Sequence, residues 1–259
     1  MKKIALAVIA VVLIVWAVWI AFPVSAMQSM IDGILHNRDL SIRIDGLKKG
    51  FFYRLHADRI TLANTGGALL LLDSVDARIN PLSFIVLRID LSAQGRIGEG
   101  SFHADASFSR KVRAVNVDFG QARLKDIQFL TIGGIQGNGI VSGNISLSGQ
   151  RWHISFSVGD AEIEPVMHGD VMVPLNFFHT VKGAMNGAGN TIDITSVSLE
   201  GRNIFARLKG LIRGNLMDLR MEVMPEKALL ENPLFLARIE RYQVSPGYYV
   251  IPVKGPIVL

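Results

Sequence analysis

Gly137, Gly139 and Gly143, in the stretch GGIQGNGIVSGNISLSGQRWHISFSVGD, stand at a spacing close to that of the loop with which dinucleotide-binding proteins cradle a pyrophosphate. That chemistry needs the glycines between a buried strand and a helix whose N-terminus meets the phosphates. The residues after Gly143 read Asn-Ile-Ser-Leu-Ser, with Ile145 and Leu147 on one side and Asn144, Ser146 and Ser148 on the other. This is the period of a half-buried strand. A turn at SGQR follows, and then Trp152, Ile154, Phe156 and Val158 alternate with His153, Ser155 and Ser157, which completes a hairpin. The glycines are therefore expected to serve turns, bulges and bends of an antiparallel sheet, and no nucleotide cofactor is implied.

Other chemistry is as thinly supported. Asp160, Glu162 and Glu164 alternate, which would put three carboxylates on one strand face, able to attract calcium or to raise one another's pKa. Oxygen cages usually draw on a tight loop and this segment reads as extended, so a solvated strand face is the simpler expectation. His36, His56, His103, His153, His168 and His179 include no pair at metal-ligand spacing, and neither His-Glu-x-x-His nor Gly-x-Ser-x-Gly occurs. The chain has no cysteine, which rules out a disulfide, a thiolate metal site and a cysteine nucleophile. The reading is of a non-enzymatic protein with no catalytic residue, no metal and no cofactor.

The elements behind these residues are mostly strands. From Leu40 onward alternation recurs: Phe51, Tyr53, Leu55 and Ala57, then Ile60 and Leu62, then Leu69 to Leu72 with Val75, Ala77 and Ile79, then Ile89, Leu91 and Ala93. It continues through Phe102 to Phe108, Val115 and Val117, the hairpin above, and Ile192 to Val223. NPLSFIV, at 80–86, reads as a short helical or irregular corner. Helices are expected at QARLKDIQFLTI (121–132), at VPLNFFHTVKGAM (173–185) with Pro174 in its first turn, and at EKALLENPLFLARIER, interrupted by Pro233. The C-terminal run GYYVIPVKGPIVL reads as an edge strand because of its prolines. The fold class expected is mainly β, an elongated, curved antiparallel sheet with a few short helices. Strand parity places Leu55, Ile60, Leu62, Leu69, Leu71, Ile89, Leu91, Phe102, Ile145, Leu147, Ile154, Phe156, Ile194, Leu208 and Met221 on one apolar, concave side, the candidate groove.

Lys2 and Lys3 precede Ile4 to Phe22, nineteen residues with no charged side chain. As a helix this run would extend about 28 Å, enough to cross a bilayer. Residues 1–26 are expected to be a transmembrane anchor, with a signal-like cleavage site at Val24-Ser25-Ala26 as the alternative, and 27–259 an exported β-rich domain. The paired lysines would stay cytoplasmic. Formal net charge is +5, and Arg38, Arg43, Lys48, Lys49, Arg54 and Arg59 follow soon after the apolar run, where acidic headgroups would attract them. Nucleic acid is not an expected partner for an exported chain.

In arrangement, LSIRIDGLKKGFFYRLHADRITLANTGGALLLLDSVDARINPLSFI, SVSLEGRNIFARLKGLIRGNLMDLRMEVMPE and YYVIPVKGPIVL resemble the opening, closing and terminal modules of the type II secretion system protein N family, within the wider AsmA-like group. The resemblance implies a single-pass inner-membrane protein with a periplasmic curved sheet. Its role would be accessory to a secretion or envelope machine, through contacts with the other proteins of that machine or with lipid. The AsmA-like alternative is carriage of phospholipid acyl chains in a hydrophobic groove. From the residues alone, a long sheet with one apolar face and few helices must curl, pair or bind apolar chains.

Overall fold

The computed structural model describes residues 16–17, 19–21, 23–24, 40–64, 66–110, 113–132, 135–168, 171–173, 175–231 and 233–256. Most of the expected anchor lies outside the described residues, among which no helix is long and apolar enough to cross a membrane. The body is mainly β. Its strands are β1 (Leu40–Asp45), β2 (Lys48–Lys49), β3 (Arg54–Asn64), β4 (Gly67–Asn80), β5 (Ile89–Ile97), β6 (Gly100–Phe108), β7 (Arg113–Arg123), β8 (Gly137–Ser148) and β9 (Arg151–Ile163). They continue with β10 (Val166–His168), β11 (Val171–Val173), β12 (Phe178–Ala188), β13 (Thr191–Gly201), β14 (Ile204–Arg213), β15 (Leu216–Pro225), β16 (Gln243–Ser245) and β17 (Tyr248–Pro256). All but β10 and β11, which pair with each other, join one 15-stranded antiparallel sheet in nearly sequential order, with β1 at one end and β16 at the other.

Between β1 and β17 the helical structure of the described residues is confined to connections. A 3₁₀ turn, Pro81–Val86, joins β4 to β5, and Leu124–Asp126 with α1 (Gln128–Ile132) joins β7 to β8. α2 (Lys227–Leu230), α3 (Pro233–Ile239) and a 3₁₀ turn at Glu240–Tyr242 precede β16. The helix expected over 121–132 is thus only partly formed, because β7 runs on to Arg123. The helix expected over 173–185 is a correction: only Leu175–Phe177 forms a 3₁₀ turn, and Phe178–Ala188 is a strand. Val181, Gly183, Met185 and Gly187 share one face there, paired with Val158, Phe156, Ile154 and Trp152. Two of the inward positions are glycine, so the letters hide the alternation.

Irregularities recur along the strands. Ser74, Gln121 and Asp160 have φ of 52°, 57° and 49°, and the register slips beside each of them. Such bulges add twist and reverse side-chain parity. In β4, Leu70 and Leu72 therefore face the same side as Val75, with Leu62, Ile60 and Ala57 opposite them on β3.

Candidate functional site

Cross-strand partners in an antiparallel pair present their side chains on the same face. Following the register across the sheet gives one unbroken row: Leu55, Ala77, Ala93, Ala104, Val117, Ile145, Ile154, Met185, Ile194, Gly210, Leu219 and Val253, each paired with the next. No member is polar. At about 4.8 Å per strand the row is roughly 50 Å long. The neighbouring row on the opposite face is hydrophilic. His56 meets Asp76 at 2.9 Å, and Asn144 donates to Asp118 at 2.8 Å and to Asn116 at 2.9 Å.

Cover over the apolar face is uneven. Toward one end of the strands Ala122, Val141, Val158, Val181, Leu199, Ala206, Val223 and Tyr249 form a second paired row in which every residue is buried. Leu124, Ile127, Leu130, Leu229, Leu230, Phe235 and Ile239 from the helical connections pack against it. This end is a closed core. Away from it the face opens: Val158 is 5% exposed, whereas Ile145 is 37% and Ile89 48% exposed. Leu91, Leu147, Trp152, Ile192, Ile212 and Met217 there are half-buried.

The glycines belong to this face. A Cβ at Gly183 would enter the Phe156 ring, one at Gly187 the Trp152 indole, one at Gly95 the Phe102 ring at 2.7 Å and one at Gly143 the Phe119 ring at 2.8 Å. In each case an aromatic ring from the adjacent strand lies across a bare backbone, which keeps the surface low and continuous. Gly137 and Gly139 have φ of 146° and 150°, values open to glycine, at the start of β8.

Of the residues assigned to the groove by parity, Leu55, Ile60, Leu62, Ile89, Leu91, Phe102, Ile145, Leu147, Ile154, Phe156, Ile194, Leu208 and Met221 share this face. Phe102 and Ile194 are buried, and the rest retain some contact with solvent. Leu71 is a correction: it pairs with Thr61, which pairs with Arg43, so it lies on the polar face. Leu69 is the extra residue of a bulge between the Leu62–Leu70 and Ala63–Ala68 pairs. Sequence reasoning missed the buried row, whose signal was its small and medium apolar residues two to five positions nearer the turns.

Three shallow hollows, of about 700, 370 and 630 Å³, open on the polar face instead. The largest is lined by Arg78, Ser92, Asp105, Asn116 and Ser146 among others. Side chains there pair locally, as His153 does with Asn186 at 2.8 Å. His56 is held above the usual histidine value of about 6.5, chiefly by its hydrogen bond to Asp76, with Asp58 adding to it. Asp160 and Glu162 are exposed and flank the buried Ala161, and no group of three potential metal ligands exists among the described residues. The basic cluster is dispersed: Arg43 pairs with Asp45, Lys48 with Asp58 and Arg59 with Asp73, and Arg38 lies outside the described residues. No known family, curated protein or solved structure matches the chain.

Proposed function

We propose that this chain is a non-enzymatic, membrane-anchored envelope protein whose uncovered apolar sheet face takes up the acyl chains of phospholipids. The observation that carries this is the unbroken row from Leu55 to Val253, in which every member but the buried Ile194 and Leu219 keeps part of its surface in contact with water. Antiparallel sheets tolerate one wet face when that face is polar, and here the polar face is the other one. An acyl chain laid along the row would gain about 0.8 kcal/mol per methylene removed from water. No side chain in the row can fix a head group, which suits a ligand recognised by its tail.

The sequence resemblance supports the cellular setting: a body on the periplasmic side of the inner membrane, in a type II secretion system or a related envelope machine. Within that setting the same face, or the end strand β1, would meet partner proteins.

The test uses the full chain carrying a photo-crosslinking residue at Ile145 or Met185 on the apolar face, or at Asn116 on the polar face. Phospholipid adducts at 145 and 185 but not at 116, read by mass spectrometry after membrane extraction, are expected. Equal labelling of both faces, or none on either, refutes the reading.

A further inference from the structure

The open end of the apolar face carries a feature the acyl-chain reading does not use. Between β4 and β5 the segment Pro81–Leu87 exposes Leu82 (70%), Ile85 (78%), Val86 (67%) and Leu87 (84%) to solvent. Beside it, Phe51 and Phe52 are 69% and 59% exposed. This is a built structure. Asn80 accepts from the Leu82 N–H at 3.1 Å and Pro81 starts the turn. The buried Ser83 hydroxyl donates to the Asn80 carbonyl at 2.7 Å and accepts from the Asp90 N–H at 3.2 Å. Arg88 and Ser107 hold the Asp90 carboxylate at 2.6 and 2.8 Å. Leu87 sits in the left-handed region (φ 53°), and so do Phe52 and Tyr53 (φ 48° and 58°). Water would favour glycine or asparagine at such positions. Three large apolar side chains occupy them instead, at a strain that persists only when the surroundings over-determine it.

Two further observations say what covers this tip. It adjoins the N-terminal apolar run: Trp19 stacks on Tyr53 at 4.6 Å, Tyr53 meets Phe84 at 6.0 Å, and Trp16 lies 5.9 Å from Phe51. The Trp19 indole donates to the Gly50 carbonyl at 3.2 Å, and the Lys49 ammonium to the Trp19 carbonyl at 2.5 Å. The second observation is charge. Four connections on this side, 49–54, 80–90, 108–113 and 148–151, contain arginines at 54, 88, 110, 113 and 151 against a single carboxylate, Asp90, which pairs with Arg88. At the opposite, capped end the charges are mixed: Glu99, Asp126, Glu164, Glu226, Glu231 and Glu240 stand with Lys125, Arg202, Lys227 and Arg241.

We propose that this end of the sheet is a bilayer-docking tip: Leu82, Ile85, Val86, Leu87, Phe51 and Phe52 enter the interface of an anionic membrane while Arg54, Arg110, Arg113 and Arg151 around them meet lipid phosphates. Apolar side chains backed by cations are the arrangement that binds an anionic bilayer surface. The proposal rests on the acyl-chain reading only in its consequence, since it would open the uncovered row directly onto the lipid from which its occupant comes.

Because the chain has no cysteine, a single labelled cysteine reports one site. The full chain carrying Ile85→Cys, or Arg202→Cys in the exposed β13–β14 turn at the capped end, is labelled with an environment-sensitive fluorophore. It is then placed in nanodiscs of phosphatidylethanolamine and phosphatidylglycerol containing a nitroxide-tailed lipid. The expected result is blue-shifted, quenched emission at 85, neither at 202, and weaker quenching at 85 when phosphatidylcholine replaces the anionic lipid. Water-like emission at 85, or equal quenching at both sites, overturns the proposal, and quenching indifferent to lipid charge removes the arginines from it. The two readings fail separately: lipid adducts at Ile145 with a water-exposed, unquenched tip refute docking alone, and a quenched tip without adducts refutes the acyl-chain reading alone.

Discussion

An aspartate placed at Val158 and one placed at Ile145 separate a closed core from an open face. Both positions are apolar, lie on paired rows of the same face and sit on adjacent strands. Val158 is 5% exposed, so a carboxylate there is an unpaired buried charge, costing about 3–5 kcal/mol in addition to the lost burial of the valine. That is comparable to the whole stability of a typical domain, about 5–15 kcal/mol. Ile145 is 37% exposed. Its substitution forfeits about two thirds of a transfer term of about 1.5–3 kcal/mol, roughly 1–2 kcal/mol, and its carboxylate reaches water. The two variants should differ by at least about 2 kcal/mol. With a urea slope of about 1–3 kcal/mol per molar this is a midpoint difference on the order of 1 M. Tryptophan fluorescence during urea unfolding of the full chain in nanodiscs reads it, since Trp152 pairs with Leu147 and Gly187 on the same face. Equal destabilisation by the two substitutions would mean that the face is sealed at Ile145 as well, and the open-face reasoning would fail.

Three further outcomes follow from the same geometry. Gly143→Ala should destabilise more than Gly187→Ala, because the new methyl meets the Ser155 carbonyl and the Phe156 Cα in the first and only the Trp152 ring in the second. Overpacking against backbone costs about 1–3 kcal/mol, and equal melting temperatures would contradict the assignment. Leu72→Lys should lower the melting temperature while Leu71→Lys leaves it nearly unchanged, since only Leu72 faces the core side; the reverse order would overturn the parity shift at Ser74. His56 titrates above the usual value because Asp76 accepts its hydrogen bond, so its stabilising contribution is complete below about pH 6.5 and is lost as pH rises through the raised folded value. Asp76→Asn should lower the NMR titration midpoint of His56, and an unchanged midpoint would refute that cause.

The strands were legible wherever inward positions carry large side chains. Ile145 with Leu147, and Trp152 through Val158, announce β8 and β9 and the turn between them. β12 was not legible because Gly183 and Gly187 hold two of its inward places, and the apolar surface above them comes from Phe156 and Trp152 of β9. A single strand's letters cannot report a side chain supplied by its neighbour. Parity also failed locally at β4, where Ser74 reverses the facing of everything before it and moves Leu71 to the polar side. The tip at Pro81–Leu87 read as an irregular corner. The exposure of its leucines and isoleucine follows from the path of the chain between β4 and β5.

The apolar row is not uniform, and its variation bears on how an uncovered face is tolerated. On β4, β5 and β6 its members are Ala77, Ala93 and Ala104, whereas β8, β9 and β12 contribute Ile145, Ile154 and Met185. An alanine presents far less apolar surface than an isoleucine, so the first stretch costs less to leave in contact with water. The short side chains also leave the sheet surface low on the strands that the Pro81–Val86 turn connects. Bulk increases away from the tip, and on the flanking row the buried valines and the helical connections close the face altogether. A chain entering from the tip side would thus meet a shallow, alanine-floored strip first and bulkier side chains later. Burial per methylene is the same throughout, so the alanines provide room and the isoleucines beyond them provide contact area.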